Sequence, residues 1–115
     1  MAYNELLAER IRSALASVRH VEEKKMFGGL AFMVNRKMCI TVGRDRIMVR
    51  IDPTIHESAV RRRGVRTVRM GRREYIGYVH VNWERLRTKS LLEFWLNLAL
   101  DFNKRAKSYR SGRAK

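Results

Sequence analysis

Residues 24–35 read Lys-Lys-Met-Phe-Gly-Gly-Leu-Ala-Phe-Met-Val-Asn, two short apolar segments around Gly28-Gly29. Glycine tolerates backbone angles that a Cβ forbids, so a sharp strand-to-strand bend is cheap at this pair and costly almost anywhere else. The run contains no catalytic side chain. It constrains architecture: consecutive short strands joined by tight turns pair antiparallel and leave no room for crossover helices.

The pattern continues on either side of it. Leu7, Ile11, Ala14, Leu15 and Val18 follow helical spacing over 4–18, with Asn4 as N-cap. Strands are expected near 24–27, 30–34, 38–43 and 46–51, with Asn35-Arg36-Lys37 and Arg44-Asp45 as turns. In the fourth, Ile47, Val49 and Ile51 alternate with Met48 and Arg50, which predicts one buried and one wet face. Asp52-Pro53 opens a short second helix that Gly64 ends, with Arg61, Arg62 and Arg63 in its last turn. A final hairpin spans 65–70 and 74–81 around Gly71-Arg72-Arg73. The last helix runs from about 89 to 107, with Thr88 or Ser90 as its cap. Leu91, Trp95, Leu98, Ala99 and Phe102 centre an apolar arc wider than one sheet contact needs. Its edge residues Phe94, Leu96 and Leu100 are therefore candidates for contact with a second subunit.

These elements give an α+β single domain, α-β(3–4)-α-β(2)-α, with a mostly antiparallel sheet and helices largely on one face. The expected domain covers 1–108, followed by a basic flexible tail over 109–115. A chain of 115 residues with 45% apolar content suffices for one core. No apolar run approaches the roughly 20 residues that cross a bilayer, and no secretion signal opens the sequence, so a cytoplasmic protein is expected. Cys39 cannot form an internal disulfide, because it is the single cysteine, and its strand-forming neighbours suggest a buried hydrophobe.

Charge is the strong deviation. The net charge is +15, and two acid-free blocks supply nearly all of it. One holds Arg61, Arg62, Arg63, Arg66, Arg69, Arg72 and Arg73; the other spans 102–115 and includes Lys104, Arg105 and Lys107. Clustering of this kind is an electrostatic footprint for a polyanion, with nucleic acid the first candidate. A solubilising surface is the alternative origin of such charge. Arginines on a helix end and a hairpin, without a recognition helix bearing Asn or Gln, imply contact without sequence preference.

Chemistry is otherwise sparse. His20, His56 and His80 are scattered, and no His or Cys pair has metal-ligand spacing. His80 is expected to be a half-buried, hydrogen-bonded strand residue. Glu22-Glu23 is the only adjacent acid pair, and neighbours on a strand point to opposite faces. Gly28-Gly29 matches neither phosphate-loop pattern. Gly77-Tyr78-Val79-His80-Val81 shares part of an RNA-recognition strand motif, but Val81, Ile76 and Glu74 break it. No enzyme, metal or cofactor is expected.

The opening helix with Tyr3, the Lys24–Asn35 run, Ile47-Met48-Val49-Arg50-Ile51, the Gly77–Val81 strand and the Leu91–Phe102 helix with Trp95 together resemble the TfoX/Sxy N-terminal domain family of bacterial competence regulators. The resemblance implies a secretion-chaperone-like α+β fold and no enzymatic site to transfer. It also implies a regulatory protein, with DNA or a DNA-bound regulator as partner. Full-length members add a C-terminal domain and act with the cyclic-AMP receptor protein; a stand-alone domain is expected here. Arg36 stands where the family pattern suggests glycine after Asn35. The alternative function is a dimeric protein-interaction module without a nucleic-acid role.

Overall fold

The computed structural model describes residues 3–26 and 28–106. In chain order these form α1 (Glu5–Ala14), β1 (Val21–Met26), β2 (Gly29–Val34), β3 (Lys37–Val42) and β4 (Arg46–Arg50). A 3-10 turn (Pro53–Ile55) leads into α2 (His56–Val60), then β5 (Val65–Met70) and β6 (Arg73–Asn82). A second 3-10 turn (Trp83–Leu86) precedes α3 (Lys89–Asn103). The strands form one sheet in the order β1-β2-β3-β4-β6-β5, and every neighbouring pair is antiparallel.

Register assigns each strand residue to a face, because directly opposed residues share one. Glu23, Phe32, Ile40, Val49, Val79 and Thr67 form one row across all six strands. The apolar members of this row pack in a single core with Leu7 and Ile11 of α1 and Leu92, Trp95, Leu96 and Ala99 of α3. Full burial of such a side chain contributes about 1.5–3 kcal/mol, so this core, to which the row gives Phe32, Ile40, Val49 and Val79, dominates stability. On the opposite face the neighbouring row is Lys24, Ala31, Thr41, Met48, His80 and Arg66. It begins and ends on a cation and carries no large apolar residue except Met48.

The glycine pair serves two separate needs. Gly28 is left-handed, with φ 71°, and a side chain there would meet open space. Gly29 has ordinary angles, but a Cβ on it would collide with the carbonyl oxygen of Val42. One glycine turns the chain and the other lets β2 approach the end of β3.

Several expected boundaries move. Asn4 caps α1 by accepting from Leu7 N–H at 3.0 Å, yet the regular helix ends at Ala14 rather than 18. Leu15 and Val18 still reach the core from tightened turns, in which Ala16 N–H donates to Ser13 O and Val18 N–H to Leu15 O. Asp52 caps the turn at Pro53 as expected, but α2 stops at Val60. Arg61, Arg62 and Arg63 therefore lie past the helix, in the turn that Gly64 closes at φ 80°. Met48 is only 7% exposed and not wet, because β5 and β6 curl around it as described below.

Thr88 caps α3, accepting from Leu91 N–H at 3.2 Å. The buried stripe of the helix is Leu92, Trp95, Leu96, Ala99 and Asn103, rotated from the expected centre. Asn103 explains the rotation. Its Nδ2 donates to Val34 O, its Oδ1 accepts from Asn35 Nδ2, and Lys37 Nζ donates to the carbonyls of Asn103 and Ala106. The β2–β3 turn thus holds the last turn of α3, where a cation also complements the helix dipole.

Candidate nucleic-acid interface

The first basic block runs along one edge of the sheet. β5 pairs only with β6, so its outer backbone groups have no strand partner and Arg66 and Arg69 flank that edge. Arg61, Arg62 and Arg63 precede it, and Arg72 and Arg73 follow at the β5–β6 turn. All seven side chains are exposed. The opposite edge, β1, mixes Glu22 and Glu23 with Lys24 and Lys25. Charge on an edge strand discourages pairing with another chain, and both edges have it. Only β5 has it with a single sign.

The seven arginines are not equally available. Arg69 pairs with Glu74 at 3.0 Å and Arg61 approaches Glu57 at 3.9 Å, exposed pairs of small energetic value. Arg62 lies over the Phe94 ring at 4.1 Å, and Arg73 over Tyr75 at 5.5 Å. Among the described residues, the side chains of Arg63, Arg66 and Arg72 have no ion pair, hydrogen bond or ring contact.

The second block behaves differently. Arg105 donates to Asp52 at 2.7 Å and to Asp101 at 2.9 Å, binding the end of α3 to the cap of the 3-10 turn. Arg105, with its neighbour Thr54, holds the Asp52 carboxyl down to about 2. The Arg105 guanidinium is thus already engaged by two carboxylates, unlike those of Arg63, Arg66 and Arg72. Lys104 is exposed and unpaired among the described residues. Lys107 and the expected tail over 109–115 lie outside them. Arg62 on Phe94 and Arg105 beyond the last turn sit about 16 Å apart along α3, at 1.5 Å per residue.

A second feature lies on the sheet face opposite the core. Thr67 pairs with Val79 but Val68 pairs with Tyr75, leaving 76–78 as extra residues in β6. Gly77 stands at the centre of this bulge with φ 94°. Its N–H donates to His56 Nδ1 at 2.9 Å and its carbonyl accepts from Ile51 N–H at 2.8 Å. His56 Nε2 lies 2.9 Å from Thr67 Oγ1; with Nδ1 accepting, the ring proton is on Nε2 and is donated to Thr67. Beyond the bulge, Val68, Arg69 and Met70 lean over the face and bound a cleft of about 370 Å³. Thr41, Met48 and His80 line it from the sheet, Arg44, Asp45 and Arg46 from the β3–β4 turn, and Gly28 and Gly29 from the β1–β2 turn. Burial, and then the charge of Arg46, push His80 down to about 4.

The sequence profile of the TfoX N-terminal domain matches residues 13–103. The chain belongs to the TfoX N-terminal domain family. No curated protein and no solved structure gives a significant match. The matched span covers all six strands and α3 of this TfoX domain, and so both the edge and the cleft.

The residues proposed for a second-subunit contact divide. Leu96 is 3% exposed and belongs to the core, which corrects its expected place at an interface. Leu100 is half-buried and packs on that core. Phe94 is 36% exposed beneath Arg62. Arg44 and Arg46 escaped sequence reasoning, because acids elsewhere in 1–60 dilute their charge; the Arg-Asp-Arg hairpin turn was the signal available. His56 escaped because its partners are 11 and 21 residues away. Among the described residues, no three His, Cys, Asp or Glu side chains cluster as metal ligands would. No described helix is long and apolar enough to cross a membrane.

Proposed function

We propose that this TfoX N-terminal domain is a non-enzymatic, transcription-associated regulatory protein of the cytoplasm that contacts nucleic acid without sequence preference through the β5 edge. The observation that carries the reading is the acid-free run 61–73 laid along an exposed sheet edge, with Arg63, Arg66 and Arg72 uncommitted to any intramolecular partner among the described residues. With no recognition helix bearing Asn or Gln beside its arginines, the edge holds phosphates rather than reading bases, and promoter choice falls to a DNA-bound partner. The non-enzymatic part rests on two observations. His56 is committed to Thr67 and Gly77, and burial pushes the Cys39 thiol up to about 12, far from a reactive thiolate.

Retention on duplex DNA across a salt series tests it. Three to four neutralised phosphates predict a loss of roughly 40- to 150-fold in affinity between 50 and 200 mM salt. Replacing Arg63, Arg66 and Arg72 by Ser should abolish most of that dependence while the melting temperature stays put. No retention at very low salt would exclude the reading. The second reading, a dimeric interaction module, is favoured by Met70 and Ile76, which are 47% and 54% exposed on the same hairpin. A clean monomer by sedimentation at high micromolar concentration would remove it.

A further inference from the structure

The cleft over the second sheet face combines three kinds of surface that no feature of the fold requires to meet. At its mouth, the side chains of Arg44 and Arg46 have no ion pair or hydrogen bond among the described residues. Among the described residues Asp45 is the only carboxylate lining the cleft, and Arg69 is already engaged by Glu74. Its floor and far wall are Met48, Val68 and Met70, of which Met70 is 47% exposed. Thioethers are polarizable and adapt to the face of an aromatic ring. Between the two lies His80, half-buried, its ring without a hydrogen bond among the described residues. The ring is neutral at physiological pH, since it titrates near 4, and a neutral imidazole offers one donor and one acceptor. The volume, about 370 Å³, lies at the small end of the roughly 300–1,000 Å³ typical of ligand sites.

We propose that this cleft holds one nucleotide unit, its phosphate on Arg44 and Arg46 and its base against Met48, Val68 and Met70 within reach of the His80 ring. A bare anion would leave the thioether wall unused, and a purely apolar ligand would leave two guanidiniums facing it. Guanidinium recognises phosphate bidentately, which suits a site at a turn where the two side chains project from either side of Asp45. The unit comes either as a free nucleotide or as one residue of a single strand. The inference reaches beyond the β5-edge reading, since Arg44 and Arg46 lie outside both basic blocks, and either stands or falls without the other.

Calorimetry and NMR on the intact chain decide it, with adenosine monophosphate, adenosine, inorganic phosphate and a single-stranded oligodeoxyadenylate as probes. Adenosine monophosphate should saturate and shift the His80 ring and the Met48 and Met70 methyl signals. Adenosine and phosphate alone should each bind about tenfold or more weakly, since each forfeits one half of the contacts. Arg44→Ser with Arg46→Ser should weaken binding by a similar factor without changing the melting temperature. The Arg63, Arg66 and Arg72 serine variant should leave it unchanged. An oligonucleotide that moves the same signals and is displaced by the mononucleotide identifies a single strand as the source; its failure to do so identifies the free nucleotide. Three results overturn the proposal: no probe moves the cleft signals, phosphate binds as tightly as the mononucleotide, or the edge variant loses as much affinity as the cleft variant.

Discussion

His56 and His80 lie on opposite sides of β6 and have opposite relations to the fold. His56 is 4% exposed and spends both ring nitrogens, one on Gly77 and one on Thr67. His80 is half-buried in the row Thr41–Met48–His80–Arg66, and its ring has no hydrogen bond among the described residues. The more buried imidazole is the satisfied one, and the more accessible one is unpartnered. His80 is thus available to a ligand on both counts, being accessible and lacking a side-chain partner among the described residues. His56 fixes the bulge that turns the β5–β6 hairpin over the sheet, and that turn creates the cleft in which His80 is left open.

Removing His56 should have the largest effect on this arrangement. His56→Ala leaves the Gly77 N–H without its acceptor in a buried setting and takes the donor from Thr67. A buried orphan of this kind costs about 1–3 kcal/mol, and the vacated ring volume adds to it. Denaturant midpoints should show a loss of about 2–4 kcal/mol, accompanied by broadening of the Met48 and Met70 signals as the hairpin loosens. A loss below 1 kcal/mol would mean that the bulge holds itself.

Gly77→Ala tests the same corner from the other strand. The residue sits at φ 94°, where a Cβ would lie 3.3 Å from both Ile51 O and Pro53 Cγ. Left-handed strain costs about 1–2 kcal/mol for a residue other than glycine, so the expected loss is smaller than for His56→Ala. Because the two residues share a hydrogen bond, the double variant should lose less than the two single losses combined. Strict additivity would separate them and break the proposed link between His56 and the bulge.

Much of this molecule is written in local signals. Asn4, Asp52-Pro53 and Thr88 cap the elements that their side chains predict, and the turns at Gly28, Asn35 and Gly71 bound the strands. These features depend on neighbours a few residues away, so a linear reading finds them. Arg36 adopts φ 65° where glycine is the expected occupant, a cost that pattern reading notices but does not explain. What the linear reading misses depends on β6 entering between β4 and β5. That insertion places Met48 opposite His80, and the bulge at 76–78 carries Val68 over both. The same limit applies to Leu96, whose helix is rotated by Asn103 meeting Val34, 69 residues away. It applies again to Arg105, which counted as free charge until Asp52 reached it from 53 residues away. In each case the deciding partner is remote, and no periodicity encodes it.

The smallest expected effect belongs to His80, and it appears only in acid. In the unfolded chain the imidazole takes up its proton near the ordinary 6.5, but in the folded chain only near 4, because burial and then Arg46 oppose the charge. Between these values the unfolded state binds more protons, so stability falls as pH drops through the window and levels off below it. The ring is half in solvent, which screens Arg46 and keeps the loss small. His80→Asn should melt like the parent at pH 7.5 and retain more of its melting temperature at pH 4.5. Below that window both proteins should lose stability in parallel, as Asp52 is protonated between its ordinary 3.8 and about 2 and releases Arg105. The parent and His80→Asn curves should therefore separate between pH 6.5 and 4 and run parallel beneath. Curves that coincide throughout would mean that His80 is solvated as fully as in the unfolded chain, and the contrast with His56 would then reduce to burial alone.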